Sequence, residues 1–218
     1  MGENRNSATS STRMPALWRG KAPLILASKS PSRRALLRAA ALDVEVVAPD
    51  VDERELEHRH FAAGGSLDGL AGVLARAKAL AVSDQRPEAY CLGADQTLSL
   101  DGRLMHKPRD VAEAAESLAA LGGATHRLNS AFCMAFAGRE LVIDNDFADL
   151  QMRPLDLATI ARYLDRAGPS ALASVGAYQV EGLGVHLFDR IEGDHAAILG
   201  LPMLKLLAWL RRENLICL

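Results

Sequence analysis

Apolar residues gather into short runs at Leu24–Ala27, Val44–Ala48, Tyr90–Ala94, Thr125–Ala137, Leu141–Gln151 and Val185–Ile191. Runs of this length, bounded by turn-forming residues, predict strands. Between them, apolar positions recur every three or four residues at Pro31–Ala41, Leu67–Ser83, Val111–Leu121, Leu157–Ala167 and Pro202–Arg212, the period of helices with one buried face. Asp110 and Glu113 set a capping box at the start of the third helix. Asp101-Gly102 and Ala137-Gly138-Arg139 predict hairpin turns. Helical crossovers mixed with hairpins predict an α/β fold in which helices cover a mixed sheet. No repeat, low-complexity block or clear linker interrupts it, and Gly64-Gly65-Ser66 reads as a loop within the fold.

The 218 residues suffice for one ordinary domain or two small lobes with a substantial core. A net charge of −2 argues against a nucleic-acid coat or a membrane-surface protein. The charge is unevenly spread, however: residues 1–40 carry eight Lys/Arg against Glu3 alone, whereas residues 43–57 carry seven Asp/Glu against Arg54. Cys91, Cys133 and Cys217 are odd in number and widely spaced, which fits a reducing cytosol better than a zinc site or disulfide framework. Residues 1–20 are mostly polar and are expected to form a disordered tail, with no signal-peptide core and no apolar stretch of membrane-spanning length anywhere.

Against this background the segment Leu26-Ala27-Ser28-Lys29-Ser30-Pro31-Ser32-Arg33-Arg34 carries the first chemistry. A strand ends in a small polar loop, Ser30 can cap a helix and Pro31 suits its first position. A helix N-terminus attracts anions, and Lys29, Arg33 and Arg34 add full charges, so phosphate can be held there without a Walker loop. A capped helix with exposed arginines has the same spacing, and only its neighbours separate the two readings. Asp50-Val51-Asp52-Glu53 with Glu55 and Glu57 reads as an acidic loop that could hold a hard cation or lie solvated. Gly93-Ala94-Asp95-Gln96 places a carboxylate just after a buried strand, where α/β sheets keep their ligand crevices; a turn aspartate fits equally. Lys78 and Lys107 could neutralise phosphate charge or lie on the surface. His58, His60 and His195 read as surface or capped-turn histidines, and Gly176–Gly184 as a glycine-interrupted loop with Gln179 and Glu181 at its centre.

In order, these segments resemble the Maf family of nucleoside triphosphate pyrophosphatases: Leu-Ala-Ser-x-Ser-Pro-x-Arg-Arg at 26–34, Pro-x-Val-Asp-Glu at 49–53, Ala-x-x-Lys-Ala at 75–79, Gly-Ala-Asp at 93–95, Lys-Pro at 107–108, Thr-His at 125–126, Arg-Ile-Glu-Gly-Asp at 190–194 and Leu-Gly-Leu-Pro at 199–202. The resemblance implies one two-lobed domain over residues 21–218, with a long mixed sheet flanked by helices as in inosine-triphosphate pyrophosphatases. It implies house-cleaning hydrolysis of non-standard or modified nucleotides, to a monophosphate and pyrophosphate, with Mg²⁺ or Mn²⁺. Asp95 would be the catalytic carboxylate and a metal ligand with Glu53; Lys78 and Lys107 would stabilise phosphate charge. Ser28 and Arg33 would grip the phosphates, with Gln96 and Glu181 in the substrate-binding set. Gln96 and Glu181 resemble the branch associated with 7-methyl-GTP, while Asn129-Ser130-Ala131 departs from the family's Tyr-Thr-Gly. The resemblance also implies a cytoplasmic location and a homodimer. A non-catalytic, nucleotide-responsive regulator linked to cell division is the alternative, and the retained acid-plus-lysine set favours the enzyme.

Overall fold

A computed structural model describes residues 17–218, and its seven strands join in one mixed sheet of order β2-β1-β3-β5-β6-β7, with β4 on the outer edge of β3. β1 (Leu24–Ala27) lies parallel to β2 (Glu45–Val46) and to the first part of β3 (Tyr90–Leu100), because helices return the chain between them: α1 (Pro31–Ala39), then α2 (Glu53–Ala62) and α3 (Leu67–Gln85). From β3 onward all pairing is antiparallel, through β4 (Arg103–Met105), β5 (Thr125–Phe136), β6 (Arg139–Met152) and β7 (Phe188–Glu192). Positive φ at Asp101 and Gly102, and at Ala137 and Gly138, makes the two expected hairpin turns.

The pairing leaves an opening. β1 covers β3 at Tyr90–Gly93 and β4 covers it at Leu98–Leu100, so neither strand reaches the outer edge of β3 between Ala94 and Thr97. β1 stops opposite Gly93, and α1 starts four residues after it.

Alternation along β3 sends its two faces to different cores. Leu92 and Ala94 pack with Leu24, Leu26, Phe132 and Met134 under α1 and α7 (Met203–Arg212). Leu98 joins Leu128, Leu150, Tyr163 and Tyr178 in a second core with α4 (Val111–Leu121) and α5 (Leu157–Ala167). The opposite face lies against the alanine-lined side of α3, where Ala71, Ala75 and Ala79 meet Ala131, Cys133 and Ala135. A Cβ at Gly93 would stand 2.2 Å from the Ala75 carbonyl oxygen and 2.5 Å from the Ala79 nitrogen. The missing side chain therefore sets the close approach of α3, one turn from Lys78.

The structure departs from the sequence pattern in several places. The acidic stretch expected as a loop is largely helix α2: Asp52 caps it by accepting from the Glu55 N–H at 3.0 Å, and Glu53 and Glu55 complement the positive end of the helix. None of its residues is buried, so it shows no apolar stripe to read. Asp95 does not follow its strand but lies within it, because pairing to β5 overrides the low strand preference of Asp and Gln. Residues 185–187, expected at the start of the last strand, belong instead to a 3₁₀ helix, Leu183–Leu187, that precedes β7. Asp110 caps α4 as expected, but Glu113 reaches back to the Arg109 N–H at 2.8 Å. Of the expected tail, residues 1–16 lie outside the described residues, while Trp18 bridges to Ile216 and its ring meets Tyr90 edge-on. Among the described residues, no helix is long and apolar enough to cross a membrane.

In the second core His126 is buried, and its Nε2 lies 2.6 Å from the Tyr178 hydroxyl. Burial lowers its pKa to about 4, against a weaker raising effect of Asp149. The unfolded chain therefore takes up a proton near pH 6.5 that the folded chain refuses until about pH 4, and stability falls as pH drops through that window. His126→Gln is expected to remove most of that loss, about 3 kcal/mol; urea unfolding at pH 7 and pH 4.5 checks it, and an unchanged acid sensitivity would contradict the assignment. Gly93→Ala is expected to cost about 3 kcal/mol or more, because backbone and not a flexible side chain must give way. A variant within about 1 kcal/mol of the parent would show that α3 can shift freely.

Candidate active site

Five expected residues, Ser28, Arg33, Glu53, Lys78 and Asp95, gather near the opening beside β3. Ser28 ends the loop from β1, and its Oγ accepts from the Ser30 N–H at 3.2 Å and from Arg33 Nη1 at 3.1 Å. Ser30 caps α1, accepting from the Arg33 N–H at 3.4 Å. Arg33 is buried, and its Nε donates to the Gly200 carbonyl at 2.8 Å. These bonds use two of its five N–H groups, and Nη2 has no partner among the described residues. Burial pulls the Arg33 guanidinium below its ordinary pKa, and the fields of Asp95 and Glu53 push back, so both carboxylates lie close enough to be felt. A buried guanidinium with free donors at a helix N-terminus is built to hold an anion.

On the α3 side of β3, Lys78 bonds to Asp95 Oδ1 and, at 2.7 Å, to Glu53 Oε1. Lys78 and Asp95 are nearly buried, whereas the Glu53 side chain is 55% exposed. The arrangement follows from three local choices: Asp52 starts α2 so that Glu53 leads it, Gly93 admits α3 closely, and strand alternation turns Asp95 towards α3. Asp95 keeps its second oxygen, Oδ2, free of any side-chain donor among the described residues.

The donor set can be judged from its chemistry. Glu53 and Asp95 offer hard oxygens, and no group of three or more His, Cys, Asp and Glu side chains suited to a metal occurs among the described residues. Two carboxylates beside an anion-binding helix fit a hard cation that completes its shell with substrate oxygens and water.

The remaining expected residues stand apart from this cluster. Gln96, on the opposite face of β3 from Asp95, donates through Nε2 to Ser130 Oγ at 2.9 Å and to the Ala197 and Ile198 carbonyls at 3.1 and 2.9 Å. Its amide nitrogen is thus committed to protein acceptors. Glu181 reaches α1 from the glycine-interrupted loop, accepting from the Ser32 hydroxyl at 2.9 Å. Lys107 is exposed after β4 and forms no ion pair among the described residues; its neighbour His106 contacts Glu57 of α2 at 3.0 Å. The sequence motifs include Ser130 and Gly200 but give neither a role, because their parts come from the Gln96–Ser130 register and from a main-chain carbonyl. Thr97, two residues beyond Asp95, was given no role by the sequence; its hydroxyl is buried without a partner among the described residues.

Fold and site define a class: an α/β protein with an arginine-bearing helix N-terminus set against a lysine-held carboxylate at a break in its sheet edge. A family model described as Maf-like protein matches residues 23–213, and the chain belongs to that family. Similar curated proteins include a nucleoside triphosphate pyrophosphatase of Bradyrhizobium diazoefficiens, 49% identical over 200 residues that cover 92% of this chain and 98% of that protein. A 7-methyl-GTP pyrophosphatase of Rhizobium etli is 53% identical over 188 residues, 86% of this chain and 94% of the relative. One of the same name from Brucella abortus is 47% identical over 193 residues, 88% of this chain and 97% of the relative.

Lys78→Met is expected to cost about 3 kcal/mol, because it leaves Asp95 nearly buried without its cation. Adding Asp95→Asn should restore at least about 1 kcal/mol by removing the uncompensated charge. Urea unfolding of the single and double variants decides: a double variant no more stable than Lys78→Met alone would show that Lys78 does not serve to balance Asp95.

Proposed function

We propose that the protein hydrolyses nucleoside triphosphates to a nucleoside monophosphate and pyrophosphate. The observation that carries this reading is the nearly buried Lys78–Asp95 pair opposite Arg33 at the uncovered edge of β3. It is supported by the names of the similar proteins.

Arg33, the Ser32 N–H in the first turn of α1 and the Ser28 hydroxyl hold the phosphate tail, the guanidinium doing so at a site partly shielded from water. Asp95 Oδ2 accepts a proton from the attacking water, whose oxygen bonds to the α-phosphorus as the bond to the bridging oxygen breaks and pyrophosphate leaves. Lys78 fixes the other oxygen of Asp95, so the carboxylate presents one defined lone-pair edge.

The charge balance favours a metal. Arg33 and Lys78 are offset by Asp95 and Glu53, so the cluster has no surplus positive charge for a triphosphate. Glu53 and Asp95 would hold a divalent cation, Mg²⁺ or Mn²⁺, which when bound would neutralise phosphate charge and polarise a phosphoryl oxygen.

A preference for 7-methyl-GTP is supported by the two relatives of that name and by Glu181, whose carboxylate, held beside α1 by Ser32, could accept from a guanine N–H edge or face a methylated, cationic base. Three free cysteines support work in the reducing cytosol. A homodimer is supported by Leu141, Ile143 and Phe147, exposed on the part of β6 beyond the reach of β7.

Pyrophosphate release from UTP, dTTP, GTP and 7-methyl-GTP, with and without Mg²⁺ or Mn²⁺, tests the reading. Metal-dependent release that falls at least about a hundredfold in Asp95→Asn is expected, with 7-methyl-GTP ranking first. Folded parent protein that releases no pyrophosphate from any of them would overturn the activity; a flat ranking would overturn the base preference alone.

A further inference from the structure

The turn that closes α6 (His195–Ile198) is bound by side chains from three separate elements. Its backbone follows a standard helix stop: the Gly200 N–H returns to the Ala197 carbonyl at 2.9 Å and the Leu201 N–H to the Ala196 carbonyl at 3.1 Å, with Gly200 at φ +95°. Such a stop leaves helix-end carbonyls in need of further donors. Gln96 Nε2 of β3 supplies the Ala197 and Ile198 carbonyls, and Ser130 Oγ of β5 reaches Ala197 at 2.6 Å while accepting from the same Gln96 amide. Gln96 and Ser130 lie directly opposite one another across the sheet. Two residues along the turn, the Gly200 carbonyl accepts from Arg33 Nε.

The fit on the Arg33 side is close. A Cβ on Gly200 would stand 3.2 Å from Arg33 Nε and 3.3 Å from Nη2, in a backbone conformation that other residues adopt only under strain. The turn is therefore a rigid link with a carbonyl pair at one end, tied to β3 and β5, and a carbonyl at the other that orients a buried guanidinium.

We infer that Gln96 and Ser130 are positioning residues that act through the Ala197–Gly200 turn on Arg33, and so set the grip on the substrate's phosphates without reading its base. The inference rests on the proposed function for the identity of the phosphate ligand. β3 thereby fixes both halves of the site from adjacent positions: Asp95 on one face beside Lys78, and Gln96 on the other face holding the turn that holds Arg33.

A probe that carries phosphates and no base separates this role from base recognition. Binding of inorganic tripolyphosphate, measured by calorimetry, is expected to weaken about tenfold in Gln96→Met and by a smaller factor in Ser130→Ala, with Ser130→Thr, which keeps the hydroxyl, close to the parent. With nucleotides, Gln96→Met should raise KM by a similar factor for UTP, GTP and 7-methyl-GTP, leaving their ranking intact. In an Arg33→Lys background Gln96→Met should have little further effect on tripolyphosphate, because the group it positions is gone. The inference is overturned if Gln96→Met leaves tripolyphosphate affinity unchanged, if it reorders the nucleotides, or if its effect adds in full to that of Arg33→Lys. Thermal unfolding confirms that each variant is folded, and Ser130→Ala carries the test should Gln96→Met fail to fold. Parent protein that releases no pyrophosphate, but binds tripolyphosphate and loses that affinity in Gln96→Met, would remove the proposed activity while upholding this linkage; parent protein that does not bind tripolyphosphate would overturn the linkage itself.

Discussion

A lysine and an aspartate, each nearly buried and bonded to one another, form the interaction on which the rest of the site depends. Removing two such charges from water costs several kcal/mol each, and their attraction repays it only in good geometry with the remaining oxygens satisfied. The fold meets that demand in specific ways. Gly93 lets α3 sit on the sheet closely enough for Lys78 to reach Asp95, and Glu53 at the start of α2 accepts from the same ammonium at a position still open to solvent. Because the pair is weak evidence for stability in its own right, its burial is better understood as a way of holding one carboxylate oxygen and freeing the other.

The sheet turns that pair into a site by what it omits. A strand interior normally has both edges bonded, and an aspartate there would be a poor choice. β1 and β4 cover different lengths of the same edge and leave Ala94–Thr97 between them, so the anion-binding start of α1 and the carboxylate of Asp95 border one opening. Arg33 completes it from a buried position, with two N–H groups committed to Ser28 and Gly200 and the others available. The two cations and two carboxylates balance, which makes a divalent metal the natural complement to an incoming triphosphate in the proposed reaction.

Several elements were legible in the sequence for local reasons. α4 and α5 begin and end where their caps and apolar periods place them, and both hairpin turns fall at the Gly-containing pairs expected. The start of α1 was equally readable, because Ser30 and Pro31 act on the neighbouring backbone alone. α2 escaped because it buries nothing, so its helical signal lies in its cap and its Glu55–Arg59 pair and not in an apolar period. The continuation of β3 through Asp95 and Gln96 escaped because ten residues of β5 impose it across the sheet.

The sequence by itself determined the inventory of the site: a capped helix carrying Arg33 after a strand, an aspartate two residues after a glycine, and a lysine and a glutamate in motifs of their own. Motif order fixed the family, since each motif is a local string that survives without knowledge of its partners. Only the tertiary structure decided which of these residues meet. It brought Glu53, Lys78 and Asp95 together from two helices and a strand, left Lys107 exposed, and gave the Gln96 amide to the Ala197–Gly200 turn. The physical reason is that contacts between residues 17 to 167 positions apart depend on register, close approach and burial. Those are properties of packed surfaces, and no single segment of the chain contains them.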